Sequence, residues 1–187
     1  MPKPPSASGR PGKREVRKLL SALSKEAIID ELMRMYDDFT PVREYLSMRV
    51  SPDDTAVREK YKRIVAKEFS PSRTRGPRLS VARKAVQDYR KVASSAEGVV
   101  DMMMYYVEQA VAFAGDVGSD EGLVSSTLTM YRDAVDHVVK HGLQDQFRER
   151  SRRFTRYDLG YGLSDALMDY HAAGFGDDLE NAADDDE

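Results

Sequence analysis

Apolar positions in this chain recur every three to four residues, and in one segment they spread around nearly the whole helix surface. Between Ser95 and Gly115, only Asp101, Glu108 and Gln109 interrupt the apolar run from Val99 to Ala114. A helix that is apolar on all sides belongs in a core, because an exposed one keeps a polar face. At about 1.5 Å per residue the run spans roughly 25 to 30 Å, the width of a small domain. The other segments are then the cover for this one.

Each of those segments shows a single apolar stripe. Val16, Leu19, Leu20 and Leu23 fall at i, i+3, i+4 and i+7, the mark of one amphipathic helix. Ser24 reads as the N-cap of a second helix striped by Ile28, Leu32, Met35, Tyr36 and Phe39. Thr40-Pro41 and Ser51-Pro52 each place a capping hydroxyl before a proline suited to a first helical turn. They predict a short helix to Met48 and a longer one from 52 to 69, lined by Val57, Tyr61, Ile64 and Val65. Residues 70–77, with two prolines and a glycine, are a loop. Ser80 is the expected cap of a helix striped by Ala82, Ala85, Val86, Tyr89 and Val92.

Ser94 with Glu97 matches a capping box before the central helix, and Gly115 is its expected end. Val124, Leu128, Tyr131, Val135 and Val138 stripe the next helix, with Gly142 just past its terminus. Leu143, Phe147 and Phe154 face inward from a basic helix, a turn follows at 159–162, and Ser164 caps a last helix carrying Leu163, Leu167 and Tyr170. No segment alternates with period two over strand length, so the class is all-α. The expected architecture is an irregular multi-helix bundle of hairpins, paired as 14–39, 40–69, 79–115 and 119–157, around one buried central helix. It forms one domain over 13–173 between a Pro/Ser/Gly-rich tail at 1–12 and an acidic tail at 174–187. The seven acids from Asp177 onward meet no base in that stretch, so any role of the second tail is electrostatic, a cover for a basic cluster or a solubilising end.

Composition narrows the function. With no Cys, disulfides, thiol nucleophiles and thiolate metal sites are excluded, and a reducing, cytoplasmic setting is expected. The central run is too short and too interrupted to cross a membrane. A net charge of −3 hides a strong asymmetry. From Arg58 to Lys91 twelve bases face three acids, whereas from Asp101 to Asp145 eight acids face two bases. Such segregation bears on partners.

Four sets of residues are candidates for chemistry. Asp133, His137 and His141 share a helix face at i, i+4 and i+8, a spacing that lets two histidines meet one metal. No third ligand is indicated, so core-edge packing of His137 and a C-terminal position for His141 are expected, with no metal or cofactor. Met102, Met103 and Met104 fill the core. Asp101 and Glu108 lie two turns apart on the apolar helix. Paired carboxylates in an apolar site suit acid–base work, but no companion nucleophile, cofactor loop or metal cluster accompanies them, so the expectation is that they pair with Arg or Lys from the basic helices or mark the one wet edge of this helix. Arg73, Arg75 and Arg78, with Arg83 and Lys84, form one basic cluster at a helix start, where backbone N–H groups add to an anion cradle. Arg148, Arg150, Arg152, Arg153 and Arg156 form a second beside Tyr157 and Tyr161, a combination that suits single-stranded nucleic acid. A pI near 5.7 argues against nucleic acid as the main partner.

The runs LLSALSKEAIIDELMRMYDDF, RLSVARKAVQDYRK and HGLQDQFRERSRRF followed by DLGYG, with the Tyr-rich central helix, carry one further signal. Over roughly residues 16–170 the chain resembles a family of small, all-helical bacterial proteins of unknown function. That resemblance implies an all-helical fold, and it carries over no catalytic residue. A non-catalytic protein that binds another protein is the expectation, with nucleic-acid binding through the Arg clusters as the alternative.

Overall fold

The computed structural model describes residues 11–50, 53–70, 76–156 and 162–176. Ser51-Pro52, Arg73 and Arg75, Tyr157 and the 159–161 part of the expected turn, and the tail from Asp177 lie outside the described residues. Among the described residues the elements are helices: α1 (Lys13–Ser21), α2 (Lys25–Asp38), α3 (Thr40–Val50), α4 (Thr55–Glu68), α5 (Leu79–Val92), α6 (Ala96–Val117), α7 (Glu121–His141), α8 (Gln144–Arg152) and α9 (Leu163–Phe175). A 3-10 turn, Arg153–Arg156, extends α8. The protein is an all-α multi-helix bundle. It divides into two compact units, Met1–Leu46 and Ser47–Glu187, at a boundary inside α3 and inside the 13–173 span read as one domain.

The second unit is built on α6, as its all-round apolar surface requires. Met102, Met103, Met104, Tyr106 and Val107 have no exposed surface. Fully burying one such side chain stabilises by about 1.5–3 kcal/mol. The helix packs on α4 and α5 along one side and most extensively on α7 along another. α9 lies on α7, and α8 with its 3-10 turn closes against α9. The closest sequential neighbours are thus α4 with α5 and α6 with α7, one helix out of step with the expected pairs 79–115 and 119–157. Aromatic rings knit the layers: Phe69 meets Tyr106 edge-on at 5.2 Å, and Tyr131 meets Phe154 at 5.5 Å.

Four expected caps are displaced, and the first, Thr40, stands inside α3, whose Val42 and Arg43 N–H groups donate to the Phe39 carbonyl at 3.0 Å. Ser95, not Ser94, caps α6 by accepting from Gly98 N at 3.0 Å. The Ser94 hydroxyl instead lies 3.2 Å from Asp54. α5 starts at Leu79 from an uncapped Arg78, and α9 starts at Leu163 after Gly162, which puts Ser80 and Ser164 inside their helices. α6 also runs through the exposed Gly115 to Val117. Ser24 caps α2 as expected, accepting from Ala27 N at 3.1 Å. Gly142 ends α7 in the left-handed conformation that glycine adopts without strain, φ +67°, and Leu143 N closes onto Val138 O at 3.0 Å.

The first unit contrasts with this. α1 and α2 bury no residue. Arg43 of α3 holds the α2 terminus by donating to the Tyr36 carbonyl at 3.1 Å, with its guanidinium 5.6 Å from the Tyr36 ring centre.

Candidate functional site

The largest gathering of charged groups sits where α4, α6 and α8 meet. Two α-helical turns put Asp101 and Glu108 on one face of α6, and Arg150 of α8 reaches both. Its Nη1 donates to Asp101 Oδ1 at 2.5 Å, and its Nε and Nη2 donate to Glu108 at 2.7 and 3.0 Å. From α4, Lys62 Nζ meets Asp101 Oδ2 at 2.9 Å. Arg58 Nε lies 3.2 Å from the same oxygen but off the hydrogen-bonding direction, so it supplies charge and no hydrogen bond. Burial by itself would raise the Asp101 pKa, yet hydrogen bonds from Lys62 and Arg150 outweigh it and hold the carboxyl below its ordinary range. Burial likewise works against the Arg150 charge, and Glu108 with Asp101 more than restores it. A carboxylate held ionised and bonded on both oxygens is a poor general acid or base. This cluster fastens three helices together.

Asp54 anchors a second cluster. It stands just before α4, where an aspartate normally caps, but its side chain caps nothing there. Instead it accepts from Tyr89 Oη at 2.6 Å in the buried interior. Burial, and then this carboxylate, push the Tyr89 pKa far up. Gly98 permits the arrangement, since a Cβ there would stand 2.4 Å from Tyr89 Oη and 3.0 Å from Asp54.

A third cluster links Tyr131, Ser151 and His171. Ser151 Oγ bonds both Tyr131 Oη and, at 2.8 Å, His171 Nδ1. His171 stacks on Phe175 with ring centres 4.9 Å apart. Burial pushes the Tyr131 phenol up to about 12. A Ser–His contact is the first half of a nucleophile–base pair. Here Ser151 and His171 are both 0% exposed, so no substrate atom reaches the hydroxyl, and the contact satisfies buried polar groups.

Among the described residues singled out for anion binding, three are engaged within the chain. Arg78 is turned back onto the buried Glu68, donating at 2.9 and 2.6 Å. Lys84 pairs with Asp88 in its own helix, and Arg148 donates to the Phe175 carbonyl at 2.6 Å. Arg83 and Arg152 are half-buried, while Arg153 and Arg156 are exposed on the 3-10 turn. Arg153 lines a cavity of about 210 Å³ with Glu108, Val111 and Phe154. His137 and His141 have ring centres 5.7 Å apart, and no set of three metal-capable side chains occurs among the described residues. His137 shares an open cavity with Arg90, Asp133, Asp136 and Lys140. Burial, then the nearby Arg90, lower its pKa. Among the described residues no helix is long and apolar enough to cross a membrane.

Sequence spacing showed Asp101 and Glu108 but missed Asp54, Tyr89, Ser151 and His171. Their partners are 20 to 35 residues distant, which no local pattern reports.

Fold and clusters together define a helical bundle whose buried polar groups serve its own packing. The chain belongs to the family of unknown function DUF6155, whose model matches residues 11–158. No curated protein and no solved structure matches it.

Proposed function

We infer that this protein works without catalysis, by binding another protein in the cytoplasm through the apolar faces of its N-terminal unit. The observation that carries this is the exposure of those faces. Leu19 is 63% exposed, Met33 51% and Phe39 55%, with Val16, Leu20, Leu23, Ile29 and Leu32 also exposed. Single exposed apolar residues are ordinary, but a contiguous set on two successive helices marks an interaction surface. Absence of Cys suits a reducing compartment.

Nucleic-acid binding has less support. Three of its candidate side chains, Arg78, Lys84 and Arg148, are engaged within the chain. The test is recovery of co-purifying protein from native cells with the full chain and with its Leu19→Glu/Met33→Glu variant. The wild type should retain a stoichiometric protein that the variant loses while circular dichroism stays helical. Equal recovery with both chains would overturn the reading.

A further inference from the structure

The charges that border these apolar faces identify the partner's chemistry. α1 carries Lys13, Arg14, Arg17 and Lys18 against Glu15, a net +3. α2 carries Glu26, Asp30, Glu31, Asp37 and Asp38 against Lys25 and Arg34, a net −3. The two helices are therefore equal and opposite.

Position sharpens the match. At 100° per residue, Lys13 and Arg17 run alongside the α1 stripe next to Leu20 and Val16. By the same geometry Ile29 and Met33 widen the α2 stripe beyond Tyr36, and Glu26 and Asp37 run along that edge next to Met33. In addition, α1 borders an open hollow of about 560 Å³ lined by Val16, Leu20 and Ile28, with Lys13 and Arg17 among its walls. The segment thus offers an apolar hollow with a basic border and, one helix later, an apolar ridge with acidic borders.

We propose that a second copy of this chain occupies the face, in a two-fold pairing that sets α1 of each copy against α2 of the other. This rests on the protein-binding reading above and names the partner. A two-fold axis makes each contact twice, so the +3 helix meets the −3 helix on both sides. The ridge of Ile29 and Met33 from one copy fills the hollow of the other, and their flanking acids meet Lys13 and Arg17. The opposite alignment, α1 on α1, sets like charges together and is disfavoured. An anionic membrane attracts α1 but repels α2, so it matches half of the face. A strongly charged protein partner has the same defect.

Sedimentation of the full chain across concentration and salt provides the test. Twice the 21.1 kDa chain mass is expected at high concentration. Leu19→Glu/Met33→Glu should raise the dissociation constant about a hundredfold or more with helix content unchanged. Two charge reversals make the assignment specific. Lys13→Glu/Arg17→Glu leaves both helices acidic, and Glu26→Lys/Asp37→Lys leaves both basic. Each should be monomeric alone, and the two should dimerise when mixed, most strongly at low salt. A wild-type monomer at all concentrations, or a dimer indifferent to these changes, overturns the proposal. If the monomer still loses a co-purifying protein on Leu19→Glu/Met33→Glu, only self-pairing falls. If it loses nothing, the protein-binding reading falls with it.

Discussion

Helices α2 and α6 both carry broad apolar surfaces, yet they meet different fates. α6 has twelve of its 22 residues buried, and α2 has none of its 14. Within the second unit α6 finds α4, α5 and α7 against its sides, and even its two carboxylates are answered by Arg150, Lys62 and Arg58. The first unit gives α2 no such cover. The difference teaches that an apolar stripe reports a need for burial without naming the surface that meets it. In the second unit that surface lies in the same unit. In the first, α1 and α2 bury no residue within the unit.

Methionine offers the most direct way to break this comparison, because the same residue stands in both settings. Met103 has no exposed surface and Met33 is 51% exposed. Met103→Ala removes buried atoms and leaves a cavity, so it should cost about 2–5 kcal/mol in urea unfolding. Met33→Ala, measured below any dimer-forming concentration, should change stability by no more than about 0.5 kcal/mol. Equal losses would mean that the first unit is cored as the second is.

Asp101 tests whether the polar clusters of the second unit are structural. Asp101→Leu removes the carboxylate that Arg58, Lys62 and Arg150 share and leaves them with only Asp54 at 3.7 Å, Glu59 at 3.4 Å and Glu108 respectively, and the expected loss is about 3 kcal/mol. The pH dependence has a definite sign. Because the folded carboxyl titrates below its ordinary 3.8, it stabilises above that value and the gain disappears as pH falls through the lower folded value. The variant should show a shallower acid limb over that range. Unchanged stability at pH 7 would make Asp101 a bystander.

How much of this was legible varies with the range of the interaction. The buried α6 was readable because an all-round apolar surface is a local property of 16 consecutive residues, Val99 to Ala114. Gly142 was readable for the same reason, since one turn decides it. Ser94 and Ser95 were confused because the choice between adjacent hydroxyls depends on Asp54, some 40 residues earlier. Pairing of Asp101 and Glu108 with the basic helices was one of three readings, and only the fold brings Arg150 to them. Tyr131 showed only as part of a stripe and Ser151 and His171 gave no signal, because three ordinary residues on three helices meet only after folding. The stripes of α1 and α2 were seen, with Ile29 and Met33 left out of the second, and periodicity is silent about whether anything covers them.

The smallest expected effect concerns His137, a histidine beside which the second unit sets Arg90. Arg90 of α5 faces it, and on α7 its neighbours are His141 and Lys140, with Asp133 and Asp136 beside them. Burial, then Arg90, lower its folded pKa from the ordinary 6.5, so the unfolded chain binds a proton that the folded chain resists. Stability attributable to His137 is therefore present above about pH 6.5 and declines as pH falls through the lower folded value. The ring is only half-buried and solvent screens it, so the decline should stay under about 1 kcal/mol. His137→Gln should flatten urea-unfolding stability between pH 7 and pH 5, in roughly that range, and leave the acid limb due to Asp101 intact. A wild-type curve already flat over that range, or a slope the substitution does not touch, would show that Asp133 and Asp136 neutralise the site. The second unit would then hold no uncompensated charge at this position, and its contrast with α1 and α2, which bury no residue, would be sharper still.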